Sequence, residues 1–241
     1  QAIVFDRPDA VSVRTFDLRE PAAGELLVQA EYSCISPGTE LRCLRGEEAP
    51  AGAFPLIPGY AMVGRVLRGG EGTTLPEGAA VYCMGTICSG PFGSFSSGHL
   101  SCGIVPEAWA TPVPAGLAFR EAVPAVLGAI ALHGRNLVPE VAGKRALVVG
   151  LGVIGQFSAR LFAVAGADVT ACDLSAARVA LAARAGVRAV CPQGDAPLVD
   201  GGAQIVVDST GSGKALAWAL KQAHVPPWKP TGAYAEPVWC V

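Results

Sequence analysis

Residues 144–164 read KRALVVGLGVIGQFSARLFAV, and this stretch restricts the fold most tightly. Ala146 to Val149 form an apolar run with no polar alternation, the pattern of a strand covered on both faces. Glycines follow at 150, 152 and 155, and then apolar residues recur at helical spacing. A strand that turns at once into a helix across a glycine loop belongs in a sheet with helices packed on it. The chain then repeats the theme. ADVTACD is a second strand, SAARVALAARAG a helix closed by Gly186, VRAVC and AQIVVDSTG further strands, and SGKALAWALKQAH a further helix. Ahead of them, REAVPAVLGAIALHGRNL reads as a buried helix with a proline in its first turns and His133 as a core histidine. Residues 119–241 are therefore expected to form a doubly wound α/β domain around a parallel sheet.

The glycines have separate jobs. Gly150 permits a tight turn, Gly152 lets backbone approach a pyrophosphate, and Gly155 lets the helix lie close on the strand. The phosphates would meet the helix N-terminus at Val153 and Ile154, where free N–H groups and the dipole favour negative charge. GxGxxG alone is weak evidence in a chain with 30 glycines. Asp173 strengthens it, because it ends the next strand, 18 residues beyond Gly155. A carboxylate there can accept both hydroxyls of an adenosine ribose. It would repel a 2′-phosphate, which favours NAD, while Ser175 and Arg178 keep NADP open. Ser209, Thr210 and Gly211, after Asp208, close the fourth strand on the same carboxyl edge and should border the middle of the cofactor. A complete sheet of this Rossmann type calls for two more strands and a returning helix beyond about residue 220. The sequence there is VPPWKPTGAYAEPVWCV, with GAYAEP the candidate fifth strand, so the domain is expected to be incomplete at its C-terminus.

Residues 1–118 follow another rule. AIVF, SVRTFDL, ELLVQAEY, AMVGRVL, AAVYC, CGIV and WATPV are short strand-like runs broken by Gly and Pro, the mark of an all-β or barrel-like unit. The glycine-rich stretch 85–103 is too long for a hairpin turn and reads equally as a functional loop or a plain Ω-loop. With 51% hydrophobic residues the chain can bury a large core, which argues against disorder. A net charge of −2, without any run of like charge, gives no case for nucleic acid or an anionic membrane. No stretch approaches the roughly 18–20 apolar residues of a membrane helix, and the start QAIVFDRPDAVSVRTFDL does not read as a signal peptide. The eight cysteines form no CxxC pair, as expected for reduced thiols in a cytoplasmic protein.

The segments GELLVQAEYSCISPGTE, PLIPGYAMVGRV, LPEGAAVYC, VPEAWATPVP, LGAIALHG and ALVVGLGVIGQFSARLFAVAGADVTACD together resemble the alcohol dehydrogenase-like medium-chain dehydrogenase/reductase superfamily, over residues 1 to about 220. The resemblance implies a GroES-like β-barrel catalytic domain over 1–118, followed by a Rossmann dinucleotide-binding domain over 119–241. ISPGTE and PGY look most similar to the branch that contains the bacteriochlorophyllide hydroxyethyl dehydrogenases. That branch suggests a secondary alcohol or ketone on a large, flat or natural-product scaffold.

Zinc-dependent members hold their catalytic metal with a cysteine after an early strand and a His-Glu pair after Pro-Gly. Here those positions fall on Ser36, Tyr60 and Ala61. A hydroxyl, a phenol and a methyl cannot replace thiolate, imidazole and carboxylate around Zn²⁺, and the four-cysteine structural lobe is absent as well. No metal is expected. The alternative is a site rebuilt from His99 and loop cysteines. Without a Lewis acid, hydrogen-bond donors or a general acid/base must handle the reacting oxygen. Tyr60 leads, since it occupies the ligand position. Thr39 and Glu40 follow, because GTE aligns, with a one-residue insertion, to the Ser/Thr-Asp pair that relays protons in zinc relatives. Ser36 can donate or accept, and the glycine-rich loop can bring in His99. The plain alternatives are Tyr60 as a half-buried strand aromatic, and Glu40 as a cap or an ion-pair partner of Arg42 or Arg45.

The expected activity is zinc-independent, NAD(P)-dependent hydride transfer between nicotinamide and a ketone or secondary alcohol. Reduction of a conjugated C=C bond and a non-catalytic dinucleotide-binding role are the alternatives. The expected partner is a small-molecule substrate, and a homodimer is left open.

Overall fold

The computed structural model describes residues 1–47, 54–87, 91–94, 96–224 and 239–240. The fold is mixed α/β, and the chain divides into two compact units, Gln1–Val126 and Leu127–Val241.

The first unit carries β1 (Ala2–Arg7), β2 (Ala10–Arg14), β3 (Glu25–Cys34), α1 (Pro37–Leu44), β4 (Leu56–Ile57), β5 (Ala61–Gly69), β6 (Ala80–Cys83), β7 (Gly93–Ser94), β8 (Cys102–Pro106), β9 (Ala110–Pro112) and α2 (Phe119–Ala122). Five of the strands form an antiparallel sheet in the order β8-β3-β5-β6-β9, and four form a second sheet in the order β2-β1-β4-β7. Alternation along the strands builds the core. Leu26 and Val28 of β3 meet Met62 and Val66 of β5, Val81 and Cys83 of β6, and Val105 of β8. The β3–β5 ladder runs close at Gly64, where a Cβ would lie 1.9 Å from the Gln29 carbonyl oxygen. The short helix α1 starts from Ser36 with a proline in its first turn, a position where the missing N–H costs nothing, and it buries Glu40 and Cys43.

The helix α3 (Ala125–Asn136) crosses the division between the units. Beyond it come β10 (Arg145–Val149), α4 (Val153–Val164), β11 (Asp168–Cys172), α5 (Ala176–Arg184), β12 (Arg188–Val190), β13 (Ile205–Asp208), α6 (Gly213–Lys221) and β14 (Trp239–Cys240). The strands form one parallel sheet in the order β12-β11-β10-β13-β14. β10 shows why its sequence has no polar side. Ala146 and Val148 pack with Ala159 and Phe162 of α4 and Ala182 of α5, whereas Leu147 and Val149 pack with Val206 and with Ala219 of α6. The strand order reverses between β10 and β13, so their carboxyl ends flank the crevice in which open α/β sheets hold ligands.

Two expectations are corrected. The buried helix anticipated ahead of the sheet is two helices, α2 and α3, because Pro124 has no N–H and its ring displaces the preceding turn. Of α3 only Leu127 and Ala131 are buried, Ile130 and Leu132 are about half exposed, and His133 is exposed rather than a core residue. The place beside β13 is taken by Trp239–Cys240, while GAYAEP lies outside the described residues, as does Cys88. Among the described residues no helix is long and apolar enough to cross a membrane. Cys34, Cys83, Cys102, Cys172 and Cys191 carry free thiols.

The close approach at Gly64 yields a stability test. Gly64→Ala must push β3 and β5 apart, and should destabilise the chain by about 1–3 kcal/mol, as overpacking does. The urea midpoint should fall accordingly; an unchanged midpoint contradicts the tight ladder.

Candidate functional site

The carboxyl ends of β10, β11 and β13 converge on the glycine loop. Gly150 has φ +87°, a conformation that side chains rarely adopt, and a Cβ on it would meet Thr210 at 2.8 Å. A Cβ on Gly155 would lie 1.8 Å from the Gly150 carbonyl oxygen, so only glycine lets α4 begin this close to β10. At Gly152 a Cβ would meet nothing within 4 Å. That open space stands directly before the N-terminus of α4, which begins at Val153 and Ile154 and has no side chain capping it. The loop is cross-braced. The Ser209 hydroxyl donates to the Gly150 carbonyl at 2.8 Å, and the Thr210 hydroxyl to Asp208 at 2.7 Å, with Gly211 following at φ +66°. Buried Gln156 donates to the Arg178 carbonyl at 3.0 Å and to that of Leu151 at 3.4 Å, joining the glycine loop to α5. Nothing in the sequence had singled out Gln156.

Asp173 lies just beyond β11. One carboxylate oxygen accepts from the Leu151 N–H at 2.7 Å, and the other from the Ser175 N–H at 2.8 Å. Burial alone would raise its pKa, but these two bonds and the Arg178 guanidinium, 3.4 Å away, hold it below the usual carboxylate value. The group is therefore anionic at neutral pH. One oxygen takes both the Leu151 N–H and the Arg178 guanidinium, and the other, bonded only to the Ser175 N–H, keeps a lone pair with which to accept a hydroxyl from a bound ribose. The donor set and the open space at Gly152 fit a dinucleotide.

The candidate catalytic residues gather in the first unit around two hydrogen-bonded pairs. The Tyr60 hydroxyl donates to the Thr39 hydroxyl at 2.8 Å. Glu40, the next residue on α1, is buried and meets His99 Nε2 at 2.7 Å. Its other oxygen accepts from the Ser36 N–H at 2.7 Å, so the carboxylate caps the helix that carries it. The far ring nitrogen of His99 meets the Ser33 hydroxyl at 2.8 Å. Ser36 itself contributes its backbone here. Neither Ser33 nor the Glu40–His99 pairing is visible in local sequence, because 59 residues separate the two partners.

The Pro-Gly turn holds this arrangement in place. The His99 N–H donates to the Pro58 carbonyl at 3.0 Å, and the Gly98 N–H to that of Gly59 at 2.8 Å. Gly59 has φ +106°, and a Cβ there would meet the His99 ring at 2.8 Å. The turn that in zinc relatives precedes a His-Glu pair here seats the backbone and ring of His99.

The donor set does not suit a catalytic zinc ion. Tyr60 is hydrogen-bonded to Thr39, Ala61 has no donor, and both ring nitrogens of His99 are engaged. Burial, then the charge of Glu40, pushes the Cys34 thiol above its ordinary pKa. Among the described residues no three His, Cys, Asp or Glu side chains come together as a metal site.

No protein-family model matches the chain. It is similar to the 2-desacetyl-2-hydroxyethyl bacteriochlorophyllide A dehydrogenases of Rhodobacter capsulatus, with 31% identity over 69% of this chain and 53% of that protein, and of Cereibacter sphaeroides, with 29% identity over 69% and 54%. The chain thus spans about half the length of these relatives. Among solved structures, a Sinorhizobium meliloti protein assigned as a zinc-binding dehydrogenase and bound to NADP has a TM-score of 0.79 at 24% identity, covering 93% of this chain and 73% of that one. The benzyl alcohol dehydrogenase of Acinetobacter calcoaceticus also has a TM-score of 0.79, at 18% identity over 93% and 74%. At these identities the structural likeness speaks for the fold.

The buried pair yields a test of its own. Removing one partner of a buried hydrogen-bonded pair leaves the other unsatisfied, so Glu40→Ala or His99→Ala should each cost about 1–3 kcal/mol. The double variant should lose clearly less than the sum of the two. Chemical denaturation measures all three, and additive losses would show that the residues do not interact.

Proposed function

We propose, from the premise that this chain is a member of the alcohol dehydrogenase-like medium-chain dehydrogenase/reductase superfamily, that it is a zinc-independent, NAD(P)-linked oxidoreductase. In this reading it passes hydride between nicotinamide and a secondary alcohol or its ketone. The first unit is then the GroES-like catalytic barrel, and the second binds the dinucleotide. The observation that carries the reading is the glycine cradle, open at Gly152 and braced by Asp173. The likeness to the two bacteriochlorophyllide dehydrogenases supports an alcohol on an extended natural-product scaffold.

The residues divide the work. Backbone at Gly152, Val153 and Ile154 receives the pyrophosphate, with the helix dipole favouring its charge. Asp173 accepts the ribose hydroxyls and disfavours a 2′-phosphate, so NAD is the preferred form, although exposed Arg178 beside it offers a cation to NADP. Bound nicotinamide supplies or accepts the hydride. The chain must then manage one proton on the substrate oxygen. In the reducing direction the Tyr60 phenol donates to the carbonyl oxygen as negative charge develops there. Thr39 can turn its hydroxyl to donate back to Tyr60, since each hydroxyl is both donor and acceptor, and solvent replaces the proton. Glu40 and His99 hold Thr39 and Tyr60 at this distance without touching the substrate.

Three measurements test the reading. Calorimetry should show NAD binding more tightly than NADP, with Asp173→Ala narrowing the difference. Tyr60→Phe should lower kcat about 10²–10³-fold, the usual loss for one oxyanion donor, while cofactor affinity stays the same. Activity should survive chelators. Stoichiometric zinc whose removal abolishes turnover would sink the metal-free mechanism.

A further inference from the structure

Three side chains that are not reactants in the proposed hydride transfer form one continuous run of hydrogen bonds. The Ser33 hydroxyl meets His99 Nδ1 at 2.8 Å, and His99 Nε2 meets the Glu40 carboxyl group at 2.7 Å. The two ends of the run differ in their access to solvent. The His99 and Glu40 side chains are 5% and 7% exposed, whereas Ser33, on β3, is an exposed residue. Among the described residues His99 is the one partner of the Ser33 hydroxyl. Every part is held in place. Ser33 sits opposite Met62 in the β3–β5 ladder, Glu40 accepts from the Ser36 N–H at 2.7 Å, and the His99 N–H donates to the Pro58 carbonyl at 3.0 Å.

We propose that Ser33, His99 and Glu40 form a second catalytic centre, which hydrolyses activated carboxylic esters. Ser33 is the nucleophile, His99 its general base, and Glu40 the acid that orients the ring. Both contacts lie within the reach that such a triad requires. The ring nitrogens have exchanged partners relative to the usual serine triad, and either nitrogen can carry the proton. With the Nε2 proton turned to Glu40, Nδ1 takes the Ser33 proton as Oγ attacks the ester carbonyl carbon. His99 then returns that proton to the leaving oxygen or sulfur as its bond to the acyl carbon breaks. Water, deprotonated by the same nitrogen, cleaves acyl-Ser33 to the free acid and restores the hydroxyl. Ester and water become acid and alcohol or thiol, and nothing is oxidised or reduced. The triad supplies no separate donor for the oxyanion, so the substrate class is one with a good leaving group, an aryl ester or a thioester. The inference uses neither the glycine loop nor Tyr60, and it stands or falls apart from the oxidoreductase reading.

The test treats the full chain with diisopropyl fluorophosphate, which phosphorylates a serine activated by a neighbouring base and releases fluoride. Mass spectrometry of the digest should place one adduct on Ser33, and 4-nitrophenyl acetate should be hydrolysed above the uncatalysed rate. Ser33→Ala, at an exposed position, should lose both the adduct and the hydrolysis. In Glu40→Gln the amide oxygen keeps the Ser36 N–H, so the NH2 group faces Nε2 and the ring proton moves to Nδ1. That blocks the base, and labelling should slow roughly a hundredfold or more. Circular dichroism checks that each variant is folded, and Ser33→Ala alone decides if Glu40→Gln is not. An adduct on another serine, or hydrolysis unchanged in Ser33→Ala, overturns the inference. So does a Ser33 that stays unlabelled, since Nδ1 would then hold its proton and the run of bonds would be structural.

Discussion

A buried carboxyl group needs hydrogen-bond partners, and Glu40 finds them in two segments of chain beyond its own helix turn. Through its own backbone it belongs to α1, through one oxygen it holds the strand-to-helix turn at Ser36, and through the other it reaches His99. His99 is in turn seated on Pro58 and Gly59 and linked to Ser33. These contacts fix Thr39 relative to Tyr60, because Thr39 adjoins Glu40 and Tyr60 adjoins Gly59. In the proposed reading the chemistry of the first unit therefore depends on a pair that does not itself touch the substrate.

The second unit meets a comparable demand by other means. Its site is made mostly of absent side chains. Gly155 brings α4 against the end of β10, Gly150 turns the chain, and Gly152 leaves room. Asp173 supplies a full negative charge, held anionic by backbone donors and the Arg178 guanidinium. In the proposed reading the first unit manages a proton with paired hydroxyls, and this one receives an anion with bare backbone.

The two sites differ in how far the sequence announced them. The nucleotide loop was legible because its constraints are local: strand, three glycines and helix lie within about twenty residues, and each glycine has a steric reason that pattern alone can suggest. The doubly wound order followed from the same alternation, down to both faces of β10 being apolar. The Glu40–His99 pair was not legible. Its partners are brought together by the register of distant strands, and nearby Arg42 and Arg45 offered a local explanation for Glu40 that the structure replaces. Helix α3 misled for another reason. Residues 125–132 carry no polar side chain, yet a burial stripe as narrow as Leu127 and Ala131 cannot be told from a fully buried helix by composition.

Gly59 carries one further consequence. It is pinned twice, once by its positive φ and once by the His99 ring that would occupy the space of any Cβ. Neither constraint involves a metal. The residues after Pro-Gly can therefore change while the turn stays glycine, because an aromatic ring and a positive φ keep its outline.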